Sequence, residues 1–65
     1  MTLQQYSRVR LITDRFETDG AKKGSMGFII EIYHDSAYEI EFSDSQGITI
    51  AQIVATKDDI EPAPE

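Results

Sequence analysis

The sequence predicts an all-β fold, specifically a small five-stranded SH3-like barrel, and three observations predict it. Short apolar segments with period-two alternation recur along the 65 residues. Turn-forming residues separate them at the intervals an all-β domain needs, and a long polar first loop precedes a tight central hairpin. A chain of this length holds one core, so a single domain is expected over residues 1–61 with a C-terminal tail over 62–65. Such a domain buries only about 60% of its unfolded surface and gains from a partner or from self-association.

Along the chain, YSRVRLI (6–12) sets Val9 and Leu11 against Arg8 and Arg10, as in a strand with one buried face. TDRFETDGAKKGS (13–25) holds an Asp19-Gly20 turn signal and is too polar for a helix core. It reads as a long loop that Phe16 folds back onto the barrel. In the second strand (26–33), strict alternation puts Met26, Phe28, Ile30 and Ile32 on the core face and Gly27, Ile29, Glu31 and Tyr33 outside. HDSA is a corner, and the third strand (37–43) repeats the pattern with Tyr38, Ile40 and Phe42 inside and Ala37, Glu39, Glu41 and Ser43 outside.

SDSQG (43–47) is another turn, and Gly20, Gly24, Gly27 and Gly47 are the turn glycines of this reading. ITIAQIVA (48–55) is a fourth strand with ambiguous faces, because Gln52 shares a side with Ile48, Ile50 and Val54. It is either bulged or covered on both faces. TKDDI (56–60) reads as a short 3-10 turn that delivers Ile60 to a brief last strand, and EPAPE (61–65) as a frayed tail.

Twelve acidic residues against six basic ones give a net charge of -6. Residues 1–23 hold five basic and three acidic residues, +2, whereas 24–65 hold one basic and nine acidic residues, -8. Phosphate backbones repel such a surface, which removes the usual driving term for nucleic-acid binding, while a basic partner gains in association rate. With no cysteine, disulfides, Cys-based zinc sites and thiol chemistry are excluded. No apolar run reaches the length of a signal sequence or of a bilayer span, so the expectation is an unprocessed cytoplasmic protein without a membrane segment.

The stretch KKGSMGFIIEIYHDSAYEIEFSDSQGITIAQI resembles the core of a family of small uncharacterised bacterial proteins classed as a domain of unknown function. Gly24, Gly27, Glu31, Tyr33, Tyr38, Glu39, Glu41, Phe42, Gly47, Thr49 and Ala51 carry the resemblance, which covers roughly residues 8–61. It implies an SH3-like barrel with no assigned activity. Relatives placed beside toxin partners would extend that to an antitoxin or immunity role. A weaker similarity links the glycine turn and apolar strand to KOW-type barrels, whose loops are basic. Here only Lys22 and Lys23 are basic near the turn, and the next strand carries Glu39 and Glu41.

Candidate chemistry is thin. His34 beside Asp35 has the composition of a general base, but a corner between strands supplies neither burial nor a third orienting group. The HDS and SDSQG segments lack the carboxylate alternation of a calcium loop, and GAKKGS has the residues of a phosphate loop in the wrong order. Glu39 and Glu41 point the same way about 7 Å apart, yet an outer barrel face offers no pocket for glycoside chemistry. The sequence therefore predicts a non-enzyme with no catalytic residue, cofactor or metal.

Two surfaces remain for binding. Ile29, Glu31, Tyr33, Glu39 and Glu41 would form an apolar and aromatic centre with an acidic surround, suited to a basic protein; the alternative is a solvated face balanced by Arg8 or Arg10. ITIAQIVA is an uncharged, proline-free strand that needs covering, by the barrel itself, by a second copy in a homo-oligomer, or by a partner's added strand; the barrel is the favoured cover. The function that follows is an acidic protein-interaction module of antitoxin or immunity type. An accessory or structural subunit docked on a larger complex or enzyme is the alternative.

Overall fold

The computed structural model describes residues 3–34 and 36–64. It is all-β, with strands β1 (Arg8–Leu11), β2 (Met26–Tyr33), β3 (Ala37–Ser43), β4 (Thr49–Thr56) and β5 (Ile60–Pro62). These form one antiparallel sheet in the order β4-β3-β2-β1-β5. The sheet is not closed into a barrel, for β4 and β5 lie at opposite edges. With three residues and Pro62 at its end, β5 has the reach to pair β1 alone.

One face of the curved sheet carries the core. Val9, Leu11, Ile29, Ile40 and Phe42 are its largest fully buried side chains, joined by Ala51, Ile53 and Ala55 of β4 and Ile60 of β5. The first loop covers this face with Phe16 and Ala21, as the anchoring role of Phe16 predicts. Among the described residues the one 3-10 turn is Glu17–Asp19, inside that loop and not before β5. Gly20 ends it at φ 94°, a left-handed conformation that costs glycine nothing. Before β5 the chain makes a simple turn in which Asp59 N–H donates to Thr56 O at 3.0 Å. Nor is the tail frayed from residue 61: Pro62 pairs with Val9, and Ala63 N–H donates to Arg8 O at 3.0 Å.

The faces of β2 depart from strict alternation. Gly27, Phe28 and Ile29 pair with Phe42, Glu41 and Ile40, after which the register shifts and Glu31 pairs with Glu39. Ile30 is the extra residue of a β-bulge, with no partner on β3. Residues on either side of it therefore switch faces. Ile29, expected outside, is wholly buried opposite Ile40, and Phe28, expected in the core, is 46% exposed opposite Glu41. Ile32 shares the face of Tyr38 but stays exposed at the far end of the sheet. The β3 assignment of Ile40 and Phe42 to the core is borne out.

Gly27 is no turn glycine. It lies buried within β2, and an added Cβ would come within 2.7 Å of Glu41 O and 2.9 Å of both Ile40 Cγ2 and Phe42 Cδ1. Pairing with β3 fixes the faces of β4: Ala51, Ile53 and Ala55 lie opposite Phe42, Ile40 and Tyr38 and turn inward, Gln52 and Val54 turn outward, and a second register shift, between Phe42 and Ser43, leaves Ile50 exposed.

A polar latch joins the first loop to the turn before β5. The Arg15 guanidinium donates to Asp59 through Nε at 3.0 Å and Nη2 at 2.6 Å, and stacks 4.2 Å over the Phe16 ring. Asp59, only 7% exposed, also accepts from Thr56 N–H at 2.8 Å and Thr56 Oγ1 at 3.1 Å. The Arg15 hydrogen bonds, aided by those of Thr56 and opposed by burial, lower its pKa from 3.8 to about 2.

Two stability measurements follow. Gly27→Ala should destabilise the fold by about 1–3 kcal/mol in urea unfolding, because the contacting atoms include backbone that cannot turn aside. Asp59 contributes above its unfolded pKa of 3.8, and the contribution fades as pH falls through about 2. Between about pH 5 and about pH 1 the wild type should lose about 2 kcal/mol more than Asp59→Asn; equal losses would refute the latch as a source of stability.

Candidate interaction face

The bulge decides which side chains share the outer face. Gln52, Glu41, Phe28 and Arg8 are successive cross-strand neighbours on β4, β3, β2 and β1. Val54, Glu39 and Glu31 form the next row, and Thr56, Ala37 and Tyr33 the one beyond. Of the residues the sequence assigns to an interaction surface, Glu31, Tyr33, Glu39 and Glu41 come together here and Ile29 does not. Phe28 takes its place as the aromatic beside the acids, and Val54 adds an apolar side chain that is 52% exposed.

Glu31 and Glu39 stand directly opposite each other, an arrangement that repels. Two donors offset it: Tyr33 OH bonds Glu39 Oε1 and the Gln52 side-chain amide bonds Glu39 Oε2. Those bonds lower the Glu39 pKa, Tyr33 first and Gln52 second, so its charge is held. The bond to Glu39 also raises the pKa of Tyr33, with smaller contributions from desolvation and from the charges of Glu39 and Glu31. Tyr33 thus remains a donor at neutral pH. At 41% exposure its ring still faces solvent.

The expected balance from Arg8 or Arg10 is absent. Arg10 pairs with Glu61 at 3.1 Å, and Arg8 Nη1 donates to Pro64 O at 3.3 Å. Among the described residues the ion pairs are Arg10–Glu61 and Arg15–Asp59, so Glu31, Glu39 and Glu41 have no basic partner. The long arms of Arg8 and Arg10 turn toward the β5 side, away from β3.

Elsewhere, among the described residues, the His, Asp and Glu side chains do not converge in groups of three. His34 is exposed in the corner after β2, and its proposed pairing with Asp35 lies outside the described residues. Among the described residues no three His, Asp or Glu side chains are grouped to hold a metal ion, and no helix is long and apolar enough to cross a membrane. A groove of about 320 Å³ runs between residues 4–8 and Pro62–Ala63. It meets the first of the acidic rows at Arg8, and no acidic side chain lines it.

Sequence reasoning missed Phe28 because both faces of β2 are apolar around it, and it missed Gln52 because that residue looked misplaced among isoleucines. In retrospect Gln52 was the signal that the Ile50 and Val54 side of β4 is the outer one.

The resemblance seen in the motifs agrees with comparison against known families: residues 5–62 match the family described as a domain of unknown function, DUF4926. No curated protein and no solved structure matches the chain. Since the match spans nearly all of the sequence, this protein belongs to the DUF4926 family.

Proposed function

We propose that the domain is a non-enzymatic protein-interaction module of antitoxin or immunity type, whose outer sheet face receives a basic surface of its partner. One observation supports this above others: Glu31, Glu39 and Glu41 cluster beside the exposed Phe28 and Tyr33, and among the described residues none of the three is ion-paired, Arg8 of the same row bonding Pro64 O instead. Aromatic anchors within a polar surround have the anatomy of a contact surface. The hydrogen bonds to Glu39 fix one carboxylate before any partner arrives, which reduces the ordering cost of binding. The cysteine-free composition suits a reducing cytoplasm, where we place the module.

The experiment is affinity capture of the partner, identification by mass, and kinetics with the purified pair. Glu39→Lys with Glu41→Lys should slow association about tenfold or more at low salt, and the difference should shrink as salt rises. Phe28→Ala should instead speed dissociation. All three positions are at the surface, so unfolding curves of the variants provide the control for folding. A captured partner whose kinetics are unchanged in all these variants would sink the reading. A large complex in place of one basic protein would make this an accessory subunit.

A further inference from the structure

The β4 edge is unguarded. The other edge strand, β5, is short and carries Glu61 and Pro62, whereas the eight residues of β4 include no charge and no proline. Natural sheets protect such edges or cover them. The first loop approaches the start of β4, where a Cβ added at Gly20 would come within 3.3 Å of Ile50 O and 3.6 Å of Ala51 Cβ.

The hydrogen bonds at the end of β4 identify the free backbone groups. Thr56 N–H donates to Asp59 Oδ2 and Thr56 O accepts from Asp59 N–H, so the Thr56 backbone faces away from β3 although it is opposite Ala37. Backbone direction alternates along an antiparallel strand, so Val54 and Gln52 also point N–H and C=O away from β3, while Ile53 and Ala55 point theirs toward it. Among the described residues, no backbone bond from outside the sheet reaches Gln52 or Val54.

We propose that this edge pairs with the same edge of a second copy, antiparallel about a two-fold axis at Ile53, joining two sheets into one. Gln52 then lies opposite Val54 of the second copy, and the reverse, each pair exchanging both backbone bonds. Ile53 meets its own copy, and Ala51 meets Ala55, on the core side. Moving the axis to Val54 sets Gln52 against Thr56, whose N–H already serves Asp59. Moving it to Gln52 sets Val54 against Ile50, beside the first loop. The axis at Ile53 alone satisfies the whole free set.

The edge strand carries no charge that would select a basic strand, and the repulsion between two copies is screened at the seam. Nothing on β4 itself attracts cations, and each chain carries a net -6. Yet the carboxylates nearest the edge, Glu39 and Glu41, sit on β3, and the two β3 strands would be three strand spacings apart, about 14 Å. That exceeds the screening length of about 10 Å at 0.1 M salt. The pairing is independent of any partner for the acidic face. Because the two-fold is normal to the sheet, both acidic faces emerge on the same side.

Light scattering and residue-resolved amide exchange over a dilution series test the proposal. At about millimolar concentration the mass should be that of two chains, with the Gln52 and Val54 amides exchanging at least about tenfold more slowly than in dilute solution, while Ile53 and Ala55 change little. Val54→Lys, which in a single chain sits favourably opposite Glu39, should stay folded and remain one chain. Val54→Pro removes an N–H with no partner in the single chain and should do the same. A single-chain mass at all concentrations overturns the proposal, as does a dimer in which the two amides exchange at the dilute rate or which survives Val54→Lys. Protection of those amides only on adding a captured basic protein would assign the edge to that protein instead.

Discussion

One inserted residue governs the surface chemistry of this domain. Without the bulge at Ile30, strict alternation outward from Glu31 would place Ile29 in solvent and Phe28 in the core. With it, Ile29 fills the centre of the sheet and the larger aromatic is left outside among carboxylates. The N-terminal arm holds the irregularity in place. The Gln5 side chain donates to Ile30 O at 3.0 Å, Tyr6 N–H donates to Ile29 O, and Ile29 N–H donates to Ser7 O at 3.0 Å. A bulge leaves backbone groups out of register, and these bonds supply what the β3 ladder does not.

Gly27 is the steric complement of that device. Opposite Val9 on one side and Phe42 on the other, it lets β3 lie close against β2. The domain has few other reserves, since its sheet is open and one face is covered by a loop in place of a helix or second sheet. The Arg15–Asp59 latch is therefore well placed: it fastens the covering loop to the turn that launches β5. Asp59 is satisfied by four donor contacts, which outweigh the desolvation cost of burial and keep the carboxylate charged.

Much of the fold was legible in the residues. The bounds of β2 and β3, the alternation of Val9 and Leu11, and the anchoring by Phe16 follow from side-chain period and turn composition, which are local properties. What escaped is non-local. Four successive residues from Gly27 to Ile30 carry no polar mark, so period alone cannot say where a bulge reverses the faces. Closure of a barrel depends on whether β5 reaches β4, a matter of sheet coiling. The acidic half of the interaction face was readable because Glu31, Glu39 and Glu41 alternate cleanly; its aromatic member was not, because it depended on the bulge.

The pairing of β1 with β5 has one more consequence. Ala63 and Arg8 are hydrogen-bonded neighbours, so the path of the chain comes back on itself even though its sheet does not. A peptide linker joining the two ends, with a new break at the exposed corner following Tyr33, would reorder the strands in sequence while leaving every strand beside its present neighbours. Strand adjacency in this sheet is thus compatible with more than one order along the chain.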